Sequence, residues 1–206
     1  YELCMYDFSR DMFAGTGIGE VNTIIRSLHK PGVWVNLSQT PHVMRLTQRN
    51  MKVRVEEDIN IGGVTGLVED KDGNLWISKW TDINVKRPDK DDLVVSGSDV
   101  PVMTSLFNDV KGEVLGLSHE SKIYRLSCAD GRITCELKDS ISSLLEKEEV
   151  NSVCIDRKGR LWLNTTLGRI LRSDETMHKF ENVSLDNEID DCTVLGFLSD
   201  KNSVWI

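Results

Sequence analysis

Two stretches of this chain, residues 64–76 (VTGLVEDKDGNLW) and 150–162 (VNSVCIDRKGRLW), align without a gap. They share the pattern V-x-x-[LV]-x-x-D-x-x-G-x-L-W. An Asp at the start of a turn accepts hydrogen bonds from backbone N–H groups two residues later, and a Gly three residues later supplies the positive φ that closes a short hairpin loop. Each stretch therefore predicts a strand, a tight turn and a returning strand that carries the Trp.

An apolar–Trp–apolar triplet occurs at the end of each stretch and recurs along the chain. The copies are Val33-Trp34-Val35, Leu75-Trp76-Ile77, Leu161-Trp162-Leu163, Val204-Trp205-Ile206 and, more weakly, Ile123-Tyr124-Arg125-Leu126. The aromatic residues are separated by 42, 48, 38 and 43 residues. A period in the low forties is typical of the blades of a β-propeller, and uninterrupted apolar strands indicate burial on both faces. The Trp side chains are predicted to fill the seams between blades.

We therefore predict an all-β fold, a β-propeller of four-stranded antiparallel blades with about five blades in residues 1–206. The predicted blades are centred on Trp34, Trp76, Tyr124, Trp162 and Trp205. Two arrangements are open. The N-terminal strands could complete the blade around Trp205 and close a ring, or the chain could be part of a larger propeller, which we favour.

Composition argues against several classes of partner. The net charge is −8 and no stretch is strongly basic, so we expect no nucleic acid partner. The sequence has no apolar run of membrane-spanning length, so we expect no membrane contact within this chain. The five cysteines are odd in number, at positions 4, 128, 135, 154 and 192. Cys128 and Cys135 flank a predicted hairpin turn out of register, which favours free thiols over a disulfide.

No pattern of catalytic or metal-binding residues stands out. His29, His42, His119 and His178 lack the spacing of zinc ligands, and no nucleophile elbow or phosphate-binding loop occurs. Asp70 and Asp72 could suggest calcium, but the aligned copy has Lys158 at the second position, so turn chemistry is favoured. We predict no catalytic residue, no metal and no cofactor.

Polar residues recur two positions after the Trp, at Asn36, Ser78 and Asn164. Asn36 and Asn164 also begin glycosylation sequons. Because the same blade position repeats a polar residue, we predict a structural role in bonding to adjacent backbone.

Trp80 is the aromatic residue that the repeat does not explain. It follows Trp76 by four residues, where a strand should run out into a turn at the rim of the propeller. An indole face at a rim suits the C–H face of a sugar ring. We therefore predict ligand contacts at Trp80, with Lys79 and Asp82 beside it; packing of Trp80 beneath the following loop is the alternative.

Residues 150–170 and 64–78 closely resemble the two-component regulator propeller repeat, V-x-x-I-x-x-D-x-x-G-x-L-W-I-G-T-x-x-G-[LI]. The usual Gly-Thr is replaced by Asn164-Thr165 and Ser78-Lys79, and the segment around Tyr124 is expected to lack both the Trp and the Asp–Gly turn. The repeat motif is structural, so the resemblance carries no residue to a ligand site.

The resemblance implies an extracytoplasmic, periplasmic sensor module of a Bacteroidetes hybrid two-component system, responding to oligosaccharides without catalysis. The parent protein would be a membrane-anchored sensor histidine kinase, for which a homodimer is a natural state. Two other functions stay open. One is a propeller enzyme similar to the streptogramin lyases, which would need His and carboxylates around the axis, and the other is a protein-binding scaffold.

Overall fold

The computed structural model describes residues 2–50, 52–145, 148–183, 197–199 and 203–205. Within these residues the chain is nearly all β, with a single helical turn, α1 (Ser142–Leu145). The strands are β1 (Cys4–Asp7), β2 (Met12–Gly15), β3 (Val21–Arg26), β4 (Val33–Leu37), β5 (His42–Arg49), β6 (Lys52–Asn60), β7 (Val64–Glu69), β8 (Leu75–Lys79), β9 (Ile83–Lys86), β10 (Leu93–Val95), β11 (Met103–Asn108), β12 (Val114–Ser118), β13 (Lys122–Ala129), β14 (Arg132–Ser140), β15 (Val150–Ile155), β16 (Leu161–Thr165), β17 (Ile170–Ser173), β18 (Phe180–Asn182), β19 (Leu198–Ser199) and β20 (Val204–Trp205).

Four antiparallel sheets of four strands each form the body of the structure. They are β3–β6, β7–β10, β11–β14 and β15–β18, and each runs in sequence order from its first to its fourth strand. Two-stranded sheets, β1–β2 and β19–β20, lie before and after them in the chain. The prediction of an all-β propeller with four-stranded antiparallel blades is confirmed.

The first strand of each sheet packs against the first strand of the next, from β3 through β7, β11 and β15 to β19. Apolar clusters fill the spaces between successive sheets. Trp34 packs with Leu67 and Ile77 of the second sheet, and Trp76 packs with Met103 and Leu126 of the third. The core is therefore a series of seams rather than one central cluster.

The tryptophans occupy matching positions in these seams. Trp34, Trp76 and Trp162 each lie in the second strand of a sheet and are 4, 2 and 8 % exposed. Trp205 also lies in a second strand, β20, and pairs with Leu198; its side chain lies outside the described residues. The predicted role of the repeated Trp is confirmed for the three whose side chains are described.

The third sheet differs from the prediction. Tyr124 lies in the third strand, β13, opposite Gly116, so its assignment as the counterpart of the tryptophans was wrong. Leu115 in β12 occupies the Trp position, opposite Phe107. The expected loss of the Asp–Gly turn was also wrong, because Asp109 and Gly112 form it. Residues 103–115 (MTSLFNDVKGEVL) keep the Asp and Gly of the pattern at their spacing, but Met103, Val114 and Leu115 replace its Val, Leu and Trp, and these exchanges concealed the copy.

The aspartates of the second and fourth sheets, Asp70 and Asp156, do more than close their turns. Asp70 Oδ1 accepts the N–H groups of Asp72 and Asn74, both at 2.9 Å, and Asp70 Oδ2 accepts the Nε1–H of Trp76 at 2.8 Å. Asp156 repeats the arrangement and accepts the Nε1–H of Trp162 at 3.0 Å. The carboxylate therefore fixes both the hairpin and the rotamer of the seam Trp.

The first sheet lacks this arrangement. Ser27 stands at the aspartate position, where its N–H donates to Gly32 O at 3.1 Å. The side chain of Ser27 and the N–H of Leu28 donate to the carboxylate of Glu69 in the second sheet. Within the described part of the chain, the buried Nε1–H of Trp34 has no hydrogen-bond acceptor.

Successive turns are also linked between sheets. The ring Nε2 of His29 lies 3.1 Å from Asp70 O, and the N–H of Lys71 donates to Gly112 O at 3.3 Å. These bonds join the first sheet to the second and the second to the third.

Among the described residues, Cys4, Cys128, Cys135 and Cys154 form no disulfide, and Cys192 lies outside the described residues. Cys128 pairs with Ile133 and Cys135 with Leu126, so the two cysteines do not face each other across the hairpin. Burial raises the pKa of both thiols. The expectation of free thiols at Cys128 and Cys135 is confirmed.

No helix among the described residues has the length and apolar character that a membrane span requires.

Candidate functional site

Because each sheet is an antiparallel meander, its successive turns lie alternately at the two opposite ends of the strands. Turns between first and second strands all emerge at one end, which we call the turn face; it comprises residues 27–32, 70–74, 109–113 and 156–160. Turns between second and third strands emerge at the other end, which we call the groove face; it comprises residues 38–41, 80–82, 119–121 and 166–169. Connections from one sheet to the next, such as residues 61–63, also lie at the groove face.

A groove of about 420 Å³ opens on the groove face between the first and second sheets. Its lining consists of Asn22, Asn36, Leu37, Ser38, Gln39, Thr40, Pro41, Gly62, Gly63, Val64 and Trp80. Amides and hydroxyls from the first sheet thus face the indole of the second sheet. Its size falls in the range of small-molecule sites.

Trp80 stands at one wall of this groove and is 65 % exposed. Its backbone N–H donates to Gly63 O at 3.2 Å, and its indole stacks on the ring of His119, with centroids 6.3 Å apart and planes inclined by 22°. His119 belongs to the third sheet's turn on the groove face. The indole is therefore supported on one side and open to solvent, not packed beneath the following loop.

Lys79 and Asp82 lie beside Trp80 in the chain, but neither lines the groove. The Lys79 Nζ is 3.4 Å from Asp82 Oδ2, which also accepts the hydroxyl of Thr81 at 2.6 Å. Burial raises the pKa of Asp82, but hydrogen bonds from Thr81 and Asn84 and the Lys79 charge outweigh it and hold that pKa below its usual range. A ligand-binding role of these two residues stays a prediction.

The first strands of the four sheets share a β-bulge that was not predicted from the sequence. Each of the four first strands shifts register at the same place, between Val21 and Thr23, Val64 and Gly66, Met103 and Ser105, and Val150 and Ser152. The bulged residues are Asn22, Thr65, Thr104 and Asn151. All four are polar, and the recurring pair of an apolar residue followed by Asn or Thr could have revealed them.

Three of the four bulged side chains bond to nearby carbonyl groups. Thr65 Oγ1 donates to Met103 O at 3.2 Å, Thr104 Oγ1 to Leu117 O at 3.0 Å, and Asn151 Nδ2 to Thr165 O at 3.4 Å. A bulge interrupts the ladder of backbone hydrogen bonds, so a polar residue there compensates for it. Asn22 differs in that it also lines the groove.

The repeated polar residues after the Trp are buried, with Asn36, Ser78 and Asn164 exposed by 4, 0 and 1 %. The Ser78 hydroxyl lies 2.9 Å from Thr65 Oγ1 and 3.4 Å from Gly66 O, and Asn164 Oδ1 accepts the hydroxyl of Ser152. These contacts support the structural role predicted for this position. Glycan attachment to Asn36 or Asn164 in the folded chain is incompatible with this burial.

The histidines lie apart from one another and have separate partners. His42 Nδ1 is 2.8 Å from Asp58, His178 Nδ1 is 2.7 Å from Asp139, and His119 stacks on Trp80. In the part of the chain that the structure describes, no group of three or more His, Cys, Asp or Glu side chains could hold a metal ion.

Comparisons with known proteins agree with this architecture. Residues 58–78 match the model of the two component regulator propeller family. The fold is similar to a streptogramin B lyase, with a TM-score of 0.70 and 14% identity over 98% of this chain and 67% of that one. It is also similar to the virginiamycin B lyase from Staphylococcus aureus, with a TM-score of 0.65 and 14% identity over 98% of this chain and 68% of that one.

A further similar structure is PorZ, a surface component of the type-IX secretion system of Porphyromonas gingivalis, with a TM-score of 0.58 and 12% identity over 97% of this chain and 25% of that one. No curated protein sequence matches the chain. Because the sequence identities are only 12% to 14%, the similarity to these structures shows the fold and not the function. The chain therefore has the fold of a β-propeller, and its residues 58–78 carry the repeat of two component regulator propellers.

Proposed function

We propose that this chain is the periplasmic, ligand-sensing propeller module of a hybrid two-component regulator, and that it binds oligosaccharides in the groove beside Trp80 without catalysing their conversion. The parent protein is then a sensor histidine kinase that acts as a homodimer. The match of residues 58–78 to the two component regulator propeller supports the regulatory part of this proposal.

The observation that carries the ligand assignment is the exposed indole of Trp80 at the wall of a groove of about 420 Å³. A large aromatic side chain exposed in this way is in contact with water over an area that a ligand could cover. The lining also includes the polar residues Asn22, Gln39 and Thr40, which carry amide and hydroxyl groups. A sugar ring needs an aromatic surface for its C–H face and hydrogen-bonding groups for its hydroxyls, and this groove offers both.

The position of the groove suggests how binding becomes a signal. Residues 36–41 belong to the first sheet, Trp80 belongs to the second, and Gly62 and Gly63 connect the two. A ligand that touches both walls binds best at one separation of the sheets. It therefore shifts the population toward that arrangement, and the shift can pass to neighbouring domains.

Calorimetry with a panel of oligosaccharides, applied to the wild-type chain and to Trp80→Ala, tests this function. We expect at least one oligosaccharide to bind, and Trp80→Ala to weaken its binding by about tenfold or more. Phe13→Ala is the matched control, because Phe13 is also a highly exposed aromatic residue but lies in β2 outside the groove.

Two results would contradict the proposal. One is the absence of binding across the panel. The other is conversion of a bound compound into product by the purified chain, which would favour the enzyme hypothesis.

A further inference from the structure

The groove beside Trp80 is lined by neutral residues. Its eleven lining residues, from Asn22 to Trp80, include amides, hydroxyls, glycines and apolar side chains but no acidic or basic one. A charged group on a ligand that enters this groove loses part of its hydration, and the lining offers no opposite charge in return. The lining therefore favours ligands without charge.

The charged groups next to the groove strengthen this preference. The amide Nε2 of Gln39 donates to Glu20 Oε2 at 3.3 Å, so a carboxylate stands directly behind one lining residue. The Lys79 ammonium, adjacent to Trp80 in the chain, is already paired with Asp82 at 3.4 Å. His42, which follows the lining residue Pro41, is bonded to Asp58 at 2.8 Å. Lys79 and His42 are thus engaged by carboxylates, and His119 contacts the indole of Trp80 by stacking, whereas Glu20 contributes negative charge.

We infer that the groove selects neutral oligosaccharides and discriminates against acidic ones, such as those that contain uronic acids or sulfate esters. This inference rests on the proposed function and specifies its ligand class. An acidic oligosaccharide would bring its charge into a neutral groove, near Glu20, on a chain whose net charge is −8. Desolvation and repulsion act in the same direction.

The test compares neutral and acidic oligosaccharides of equal length, for example oligomers of galactose against oligomers of galacturonic acid, and cello-oligosaccharides against their carboxylated forms. Binding is measured by calorimetry on the wild-type chain and on Trp80→Ala. We expect the neutral member of a pair to bind at least about tenfold more tightly, in a manner that depends on Trp80.

The outcomes distinguish failure of the inferred selectivity from failure of the proposed binding function. Acidic oligosaccharides that bind as tightly as neutral ones, with loss of binding in Trp80→Ala, would overturn the inferred selectivity and leave the proposed function standing. Absence of binding by every member of both classes would overturn the proposed function itself. Binding that is unchanged in Trp80→Ala would overturn the location in this groove.

A charge-introducing variant provides an independent check. Gln39→Lys places a cation in the lining next to Glu20, and we expect it to narrow or reverse the preference for the neutral member of each pair. Leu167→Lys is the matched control. Leu167 is 77 % exposed on the groove face of the fourth sheet, so this substitution adds the same positive charge away from the groove. An equal effect of the two variants would contradict the assignment.

Discussion

On the turn face, three of the four sheets place an aspartate at the same position, and each aspartate accepts two backbone N–H groups of its own turn. On the groove face, the corresponding turns SQTP, WTD, HES and TLGR, aligned from their first residues, share no residue at any position. The turns of both faces connect strands of the same four sheets, so the sheet architecture alone does not explain why residues recur on one face and differ on the other. The recurring aspartates of the turn face stabilise the hairpins, whereas the turns of the groove face differ in sequence from sheet to sheet.

The difference indicates where to look for function in a repeated fold. A residue that recurs at the same position of several sheets has the same geometric task in each of them, as Asp70 and Asp156 have. Trp80 and His119 occupy aligned positions in neighbouring sheets, yet they differ from each other and from Ser38 and Thr166. Such departures from the repeat are the places where a specific ligand can be recognised.

The largest effect is expected from removal of the turn carboxylates. Asp70→Ala or Asp156→Ala eliminates the acceptor of two backbone N–H groups, of one indole N–H and of a further side chain, Asn74 at Asp70 and Arg160 at Asp156. The free energy of unfolding should therefore fall by roughly 2–4 kcal/mol. Asp109→Ala is the matched control, because its turn has Leu115 in place of Trp and loses only the backbone bonds. Urea unfolding measures all three variants, and an equal loss in Asp109→Ala would show that the bonds from the indole and from Asn74 or Arg160 contribute nothing.

A smaller difference is expected between two tryptophans of the same seam position. Trp76→Phe leaves Asp70 without its indole donor, whereas Trp34→Phe removes an N–H that has no acceptor among the described residues. Both variants lose similar packing area, so Trp76→Phe should be the more destabilising by about 1 kcal/mol. Urea unfolding of the two variants measures this difference, and a greater loss in Trp34→Phe would contradict the account of the first turn.

Acid should lower the stability of the fold by protonating the carboxylate of Asp156 on the turn face. Burial raises the pKa of Asp156, but hydrogen bonds from Trp162 and Arg160 and the Arg160 charge outweigh it, so its pKa in the folded chain is lowered. A carboxyl group whose pKa is lower in the folded state stabilises the fold above its unfolded value, near pH 4, and this contribution disappears as the pH falls through the folded value.

Unfolding measured between about pH 6 and pH 3 should therefore show a steeper loss of stability in the wild-type chain than in Asp156→Asn. The variant lacks the titrating group but keeps a side chain of similar shape. Identical slopes in the two proteins would contradict this assignment.

The smallest effect on stability is expected at Trp80. Because Trp80 is 65 % exposed, Trp80→Ala should change the free energy of unfolding by no more than about 0.5 kcal/mol. The same substitution is expected to abolish or strongly weaken ligand binding, so it separates function from stability. A large destabilisation in urea unfolding would place Trp80 among the structural residues and remove the contrast between the two faces.

The repeat itself could be predicted from the sequence because its residues have local tasks. Asp70, Gly73 and Trp76 interact within one hairpin, so their spacing is visible along the chain. The third sheet was misaligned because Leu115 replaces the Trp that anchored the alignment. A Leu in a strand is too common to mark a seam, although Asp109 and Gly112 kept their spacing.

The groove could be predicted only in part. Trp80 stood out because the repeat did not account for it. Its neighbours in the groove come from residues 36–41 and 62–64, which approach Trp80 only through the packing of two sheets. No spacing in the sequence encodes that approach. The same reason explains why the link between Trp80 and His119 was not foreseen.

Each first strand packs on the first strand of the sheet that follows it in the chain, and each sheet is a meander of consecutive strands. A pulling force on the chain that opens one of these seams would therefore release the strands of one sheet in sequence order. Extension should proceed in discrete steps, each releasing one sheet of some forty residues while the remaining seams stay intact.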